Sequence, residues 1–533
     1  MSNTVKRVQR NLYSLDELSF FKSGMRREFS SIAEMITTRA EEIPDKIYVY
    51  YYDQEISYAR TNRRSNRVAN YLKDLGVLKG DVVSVMVLNS PEIYYAMFGA
   101  QKLGVVAGAI NYMLKGPEIA HLLEDSKPKV VFVGSDFMDD FADGYHRSSH
   151  RPVVVEVETD AEHAGSVAQS RLSDILAEYP AEEALVPQSP DDPYMLLYSS
   201  GTTGTPKGIL LSNRGQLSIC RDRARTGSML TDDIALLALP MFHTNPLCVW
   251  TYPTAFVGAS VCIRTRFSPQ DFWPAILDYG VTVVMGVPTM YHYVYNAATA
   301  DVVDKSRLKL RKAFAGAAPM PLELINAFKE KFDVDIMDGY GLTEATGVSS
   351  STHGVPVKEG SIGVPLREQA MEIMDDDNNI MPPGEKGEIC IKGEPVMIGY
   401  LNRPEANAES IRDGWLHTGD MGYMDEQGYF YVAGRKKEMI NRGGENIYPR
   451  EIETLLEAHP EVDQVAVVGA PDPALGERVK ACIVPTQQGA LGEEEIKQYL
   501  AGRIAGYKIP EIVEFYDAFP LNPTGKILKE ELK

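Results

Sequence analysis

The sequence predicts an α/β chain of two domains. A large N-terminal domain holds parallel-rich sheets flanked by helices plus a β-rich subdomain, and a small α+β domain follows it. Three patterns predict this. Residues 30 to about 135 alternate apolar runs with capped helical segments, as a covered, largely parallel sheet requires, and the alternation resumes after residue 208. Past residue 365 the pattern changes to short strands with glycine turns. From Pro449 onward a compact mixed block appears.

In chain order, "SSIAEMITTRAEEI" has a serine cap and helical spacing. Val82–Asn89 is an apolar run suited to a buried strand. Ser90-Pro91 then opens a helix through Tyr95 and Met97, with serine as cap and proline in the first turn. "VVAGAIN" and "KVVFVG" repeat the strand signal, and the polar segment 158–190 reads as a link between subdomains. "SVCIRT", the Ser268-Pro269 helix start, "VTVVMGVP" and a helix from Pro321 to Phe332 continue the alternation. "GEICIKG" and "GYFYVAG" predict antiparallel hairpins. The helices "REIETLLEAH" and "EEEIKQYLAGRI" enclose the strands "VDQVAVVGA" and "RVKACIVPT". The boundary falls at the charge-dense Gly434-Arg435-Lys436-Lys437, giving domains 1–434 and 435–533.

The composition is that of a globular protein, with 44% hydrophobic and 24% charged residues. A net charge of −20 disfavours nucleic acid as a partner, since a phosphate backbone selects a basic face. Cys220, Cys248, Cys262, Cys390 and Cys482 are odd in number and widely spaced, with no CxxC. They read as reduced thiols in a cytoplasmic protein without a metal cluster. The N-terminus lacks an apolar core for a signal peptide, Asp16 and Glu17 argue against a transit peptide, and no run is long enough to span a bilayer.

The most informative stretch is "YSSGTTGTPKG", Tyr198–Gly208. Gly201, Gly204 and Gly208 allow sharp turns with exposed N–H groups, hydroxyls add donors, and Lys207 adds a positive charge. The result is a phosphate cradle. It is not a Walker A loop, because Lys207 lies between Pro206 and Gly208. The apolar "MLLY" and "ILLS" on either side predict two strands rather than a flexible linker.

With "FHTN" (Phe242–Asn245), "AGAAP" (Ala315–Pro319), "DGYGLTE" (Asp338–Glu344), "WLHTGD" (Trp415–Asp420), "GRKKEMINRGGENIYPREIE" (Gly434–Glu453) and "NPTGK" (Asn522–Lys526), the loop resembles the signature of the acyl-adenylate-forming superfamily: acyl-CoA synthetases, peptide-synthetase adenylation domains and luciferases. The similarity runs from about residue 30 to the end and is greatest to the AMP-forming acyl-CoA synthetases. It implies ATP and CoA as substrates, Mg²⁺ as cofactor and a C-terminal domain that turns between two half-reactions.

The resemblance also implies roles. The loop closes over ATP and holds phosphates through Ser199, Thr202, Thr203 and Lys207. Gly316, Ala317, Ala318 and Pro319, with Asp338, Gly339, Tyr340 and Gly341, line the nucleotide site, where Tyr340 stacks on adenine. Thr343 touches the α-phosphate and Glu344 ligates Mg²⁺; a hydroxyl and a hard oxygen suit those tasks. Alone, Glu344 would read as a surface carboxylate. Asp420 and Arg435, with Tyr431 nearby, correspond to ribose-binding residues. Lys526, alone a solvated tail lysine, bridges carboxylate and α-phosphate as a compact ammonium on a long stem. Lys437 is the hinge. Arg442, Gly443, Gly444 and Glu445 belong to the glycine loop beside the pantetheine tunnel, where Arg442 either meets a CoA phosphate or faces solvent.

His243 corresponds to the aromatic gate between ATP and acyl sites, and Trp250, Val287, Met290, Ala317, Gly341 and Gly347 are candidate acyl-pocket residues. Gly341 stands where acetate-specific relatives carry tryptophan, so the expected substrate is a medium-chain, alicyclic or aromatic carboxylate. The chain stops shortly after Lys526 with no appended carrier domain, which favours free CoA over a carrier thiol. A stand-alone enzyme loading a separate carrier protein is the rival. A luciferase-like oxygenase has no support in the sequence. A silent nucleotide binder would have lost some of Lys207, Glu344, Asp420, Arg435 and Lys526. A homodimer is the assembly this reading allows.

Overall fold

The computed structural model describes residues 19–199, 206–318, 320–443, 445–473, 475–487, 489, 491–521 and 527–533. Two compact units emerge: residues 1–371 with 391–416, and residues 372–390 with 417–533.

The first unit is built on two sheets. One has eight strands in the order Gly399–Tyr400, Lys207–Ser212, Pro193–Ser199, Val106–Ala109, Val82–Met86, Val130–Gly134, Val153–Val157 and Ser170–Arg171. It is parallel from Pro193–Ser199 outward and antiparallel at Lys207–Ser212 and Gly399–Tyr400. The other has seven strands: Ile336–Met337, Lys312–Ala315, Val283–Gly286, Ile234–Leu237, Ser260–Ile263, Ile47–Tyr51 and Gln54–Ser57. All its pairings are parallel except the terminal hairpin. The strand runs expected from the sequence are buried, as a sheet covered by helices demands.

The capping residues behave as their chemistry requires. Ser31 accepts the Glu34 N–H at 3.1 Å at the start of Ile32–Glu42. Ser268 accepts that of Asp271 at 3.2 Å at the start of Pro269–Tyr279. Ser90 occupies the cap position of Pro91–Lys102, but its side chain makes no capping bond there. The polar segment expected to link subdomains instead supplies the edge strand Ser170–Arg171 and the helix Leu172–Glu178. Strand register places Ser170 beside Val155.

In the second unit, Trp415–Met424 pairs antiparallel with Phe430–Arg435, with Asp420 opposite Arg435 and a bulge between Met421 and Gly422. A further sheet joins Glu445–Ile447, Ile440–Arg442, Gly476–Pro485 and Val462–Asp472, with Ile512–Phe515 parallel to Gly476–Pro485. The helices Pro449–Glu457 and Glu493–Leu500 bury Ile452, Leu456, Ile496 and Leu500 in its core. The second helix ends at Leu500, shorter than its sequence pattern.

All five cysteines are free and buried, and burial pushes the Cys220, Cys248 and Cys262 thiols up to about 12. Among the described residues no helix is long and apolar enough to cross a membrane.

Candidate active site

The strands on either side of the glycine- and threonine-rich stretch pair with each other. Pro193–Ser199 pairs antiparallel with Lys207–Ser212, with Tyr198 opposite Gly208 and Ser199 opposite Lys207. Thr202 and Thr203 lie outside the described residues, as do Pro319, Gly444 and Lys526. Tyr198 anchors one strand: its hydroxyl donates to Asp125 at 2.9 Å, and Asp125 is ion-paired with Arg403 at 3.0 Å. Burial, then the Asp125 charge, pushes the phenol well above its ordinary pKa, so Tyr198 remains a neutral donor. On the other strand, Lys207 Nζ lies 5.0 Å from the centre of the Tyr400 ring.

Three other motifs meet in this unit. Thr244 Oγ1 is 2.6 Å from Thr343 Oγ1, joining "FHTN" to "DGYGLTE". A Cβ added at Gly316 would lie 3.5 Å from the Gly339 carbonyl oxygen and 3.9 Å from Asn245 Nδ2, so "AGAAP" reaches both segments. Gly316 is buried, whereas Ala317 and Ala318 are exposed where the strand ends. Ala317 has φ +70°, a left-handed conformation costly for a residue with a Cβ and common at ligand sites. His243 follows a turn and packs against Phe242 at 4.3 Å between ring centres, then Asn245–Thr251 forms a π-helical segment, a form frequent at functional sites.

Gly339–Tyr340 pairs with Ser350–Ser351, and Thr343–Ala345 makes a single 3₁₀ turn. The Glu344 carbonyl accepts the Met397 N–H at 2.8 Å, and its carboxylate accepts the Tyr400 hydroxyl at 2.9 Å. A Cβ at Gly341 would lie 2.4 Å from the Gly347 carbonyl oxygen and 2.5 Å from Val348 Cα. With the turn folded as it is in this chain, backbone packing leaves no room for a side chain at 341. Gly347 has φ +94° and faces Val249 and Thr244. Trp250 is buried against Phe314, 5.3 Å between ring centres, with Arg223 over its ring at 5.7 Å. Met290 is buried, and half-buried Val287 is the N-terminal cap of Pro288–Asn296.

Asp338 accepts the Gly339 N–H at 2.8 Å and the Met320 N–H at 3.4 Å. Desolvation outweighs these bonds and raises its carboxyl to about 6. The native state therefore binds more protons than the unfolded chain between the ordinary carboxylate range and about 6. Stability from this group is present at low pH and lost as pH rises through about 6. For a carboxyl raised to about 6 and in partial contact with solvent this is worth about 1–2 kcal/mol. The Asp338→Asn protein should gain stability relative to wild type from pH 4 to 6.5 and hold that gain above it. Urea unfolding across this range checks it, and a difference independent of pH would remove Asp338 as the titrating group.

In the second unit, Arg435 Nε lies 3.0 Å from Asp420 Oδ1 across the hairpin. The turn that presents Asp420 is tied down residue by residue. Thr418 Oγ1 donates to the Ile389 carbonyl at 2.7 Å and accepts the Asp420 N–H at 3.1 Å. Glu388 accepts the Gly419 N–H at 2.8 Å and lies 3.1 Å from His417 Nδ1. Tyr431 stacks on Tyr423 with ring centres 4.7 Å apart. Lys437 is exposed in the 3₁₀ turn Lys436–Glu438. Arg442 opposes Glu445 in a hairpin, Gly443 has φ +61°, and the Arg442 guanidinium pairs with Glu511 at 2.5 Å. The residue weighed between a CoA phosphate and solvent thus has an internal carboxylate partner.

Sequence reasoning did not single out Asp125, Glu388, His417, Tyr400 or Arg403. Tyr400 had a local signal: Gly-Tyr-Leu ending an apolar run, followed by Asn-Arg-Pro. Asp125 and Glu388 had none, because their partners are remote in sequence.

Paired strands flanking a glycine-rich stretch, an aromatic and hydroxyl-bearing turn and an adjoining apolar segment suit an adenylate-forming enzyme. Comparison with known proteins agrees. Residues 36–401 match the AMP-binding enzyme model, and residues 451–526 match the AMP-binding enzyme C-terminal domain. A feruloyl-CoA synthase of Amycolatopsis sp is 36% identical over 502 residues, 93% of this chain and 97% of that protein. The long-chain-fatty-acid–CoA ligase FadD13 of Mycobacterium tuberculosis is 35% identical over 487 residues, 90% and 93% of the two chains. Among solved structures, the o-succinylbenzoate CoA synthetase MenE of Bacillus subtilis, in complex with ATP and magnesium ion, superposes with a TM-score of 0.81 at 30% identity, covering 93% of this chain and 98% of that one. The chain belongs to the AMP-binding enzyme family. Within it, the chain falls in the AMP-forming acyl-CoA synthetase branch of the acyl-adenylate-forming superfamily.

Proposed function

We propose that this enzyme ligates a medium-size apolar carboxylate, medium-chain, alicyclic or aromatic, to CoA. The carboxylate oxygen attacks the α-phosphorus of ATP, forming acyl-AMP and expelling pyrophosphate. The CoA thiolate then attacks the acyl carbon, forming acyl-CoA and releasing AMP. The observation that carries the reading is the Thr244–Thr343 contact. It joins the segment bearing His243, the acyl gate, to the segment bearing Tyr340, Thr343 and Glu344, where carboxylate and α-phosphate must meet.

In this reading Ser199, Thr202, Thr203 and Lys207 hold the β and γ phosphates, and Tyr340 stacks on adenine between Gly316–Pro319 and Asp338–Gly341. Asp420, Arg435 and Tyr431 contact the ribose, and Lys526 bridges the reacting groups. A carboxylate beside a phosphate cradle is the donor type Mg²⁺ takes, so Glu344 fits it; when bound, the ion screens the phosphates against the incoming carboxylate. The division 1–434 and 435–533 turns at exposed Lys437 for thioester formation, with Gly443 and Gly444 beside the pantetheine and Arg442 and Glu445 at the same loop. Trp250, Val287, Met290, Ala317, Gly341 and Gly347 surround the acyl group. The enzyme works in the cytoplasm, a reading that five free buried thiols support, and as a homodimer, which light scattering tests.

The function is tested by pyrophosphate and AMP release from MgATP, with and without CoA, over acids from acetate through octanoate to cyclohexanecarboxylate and benzoate. Turnover should require both CoA and a mid-sized apolar acid. Adenylate without CoA-stimulated turnover would favour the carrier-protein reading. Relatives named for feruloyl, long-chain fatty acyl and indoleacetate groups support an apolar site, whereas one of 31% identity is named for sulfoacetate.

A further inference from the structure

We propose that Tyr400 is a positioning residue that couples the Mg²⁺ ligand to the phosphate-binding lysine. The proposal rests on the reading of Glu344 as that ligand. One side chain touches both partners. The Tyr400 hydroxyl donates to Glu344 Oε1 at 2.9 Å, and its ring lies 5.0 Å beneath Lys207 Nζ. A hydroxyl that donates to a carboxylate fixes its rotamer and leaves the second oxygen for a cation. An aromatic face opposite an ammonium holds that charge without neutralising it, as a carboxylate would. The arrangement aligns two positive centres, the ion and the lysine, before the nucleotide enters.

The backbone around Tyr400 is fastened on three sides, which a surface tyrosine does not need. Its strand pairs with the one that begins at Lys207, with Tyr400 opposite Ile209, and the Leu401 N–H reaches the Gly208 carbonyl at 2.7 Å. Three residues earlier, the Met397 N–H holds the Glu344 carbonyl at 2.8 Å. Asn407 clamps the tyrosine backbone in both directions: Oδ1 accepts the Tyr400 N–H at 2.6 Å and Nδ2 donates to its carbonyl at 3.0 Å. Gly399 permits this clamp, since a Cβ there would lie 3.0 Å from the Asn407 amide. The stretch 397–401 thus ties Glu344 to the hairpin that carries the phosphate loop.

The experiment compares Tyr400→Phe, Tyr400→Leu and Glu344→Gln with wild type by calorimetric titration of ATP at graded Mg²⁺ and in the presence of a chelator, alongside pyrophosphate release. Tyr400→Phe loses only the hydroxyl. It should raise the Mg²⁺ needed for half-maximal ATP binding roughly tenfold, with excess Mg²⁺ restoring turnover and metal-free ATP affinity unchanged. Tyr400→Leu should also weaken metal-free ATP binding several-fold, by releasing Lys207. The double variant Tyr400→Phe/Glu344→Gln should be no worse than Glu344→Gln alone. If Glu344→Gln leaves the Mg²⁺ dependence unchanged, the reading of Glu344 fails. If Glu344→Gln shifts it and Tyr400→Phe does not, the role given to Tyr400 is overturned while that of Glu344 stands. The unliganded melting temperature of Tyr400→Phe should match wild type. A lowered one, with binding loss that excess Mg²⁺ does not restore, would make Tyr400 structural and overturn the proposal.

Discussion

The Lys526→Ala enzyme should lose adenylate formation by at least a hundredfold while still converting supplied acyl-adenylate and CoA to thioester. The asymmetry follows from charge. In the first half-reaction a carboxylate must approach a phosphate, and a fixed cation between them offsets a repulsion that water cannot screen in a closed site. In the second a thiolate attacks an acyl carbon whose leaving group is already activated, so the same ammonium is not required. Neighbouring Lys529 provides the internal contrast. Its Nζ lies 2.8 Å from Glu438 Oε2 and 2.8 Å from Glu453 Oε1. Although burial pulls its pKa down, the Glu453 and Glu438 charges hold it above the ordinary lysine value. Lys529→Ala should therefore destabilise the second unit by about 2 kcal/mol and leave the ratio of the two half-reactions unchanged. Pyrophosphate exchange, thioester formation from synthetic adenylate and thermal unfolding of both variants decide the matter. Loss of both half-reactions in Lys526→Ala, with a lowered melting temperature, would make Lys526 structural as well.

Much of this architecture was legible because it is encoded locally. Val82–Met86, Val106–Ala109 and Val130–Gly134 are apolar runs that only a covered parallel sheet can bury, and Ser31 and Ser268 mark helix starts through a bond to a backbone N–H three residues on. The pairing of Pro193–Ser199 with Lys207–Ser212 was legible for the same reason, since both are apolar runs beside a glycine-rich stretch. What the sequence does not display are partners far along the chain. Tyr198 to Asp125, Glu344 to Tyr400 and Glu388 to Gly419 are each set by how separate elements pack rather than by spacing: strand on helix, strand on 3₁₀ turn and strand on strand. The segment 158–190 shows no strand signal because a two-residue edge strand is too short to display a period of two. Arg442 was left between two roles because a charged residue gives no sign of which carboxylate it will meet, here Glu511.

Gly341→Ala should cost about 3 kcal/mol of stability and depress activity with every acid alike. From the sequence, glycine at 341 points to a deep acyl pocket, because a large side chain there would close it. The structure supplies a different reason for the glycine. The first carbon of any side chain would lie 2.4 Å from the Gly347 carbonyl oxygen and 2.5 Å from Val348 Cα, and both are backbone atoms that cannot swing aside. Relief requires moving the turn 342–348 itself, which carries Thr343 and Glu344 and is closed by the Gly347 N–H to the Leu342 carbonyl at 2.9 Å. The two accounts separate in the pattern across acids rather than in the size of the loss. Displacement of the turn lowers kcat for acetate, octanoate and benzoate by similar factors and lowers the melting temperature. A pocket effect would spare short acids, penalise long ones and leave the melting temperature in place. Val249→Ala gives the complementary measurement, because Val249 Cγ2 faces Gly347 and its removal opens space without touching the backbone. That variant should shift preference toward bulkier acids and Gly341→Ala should not, and kcat for each acid with both variants checks the difference.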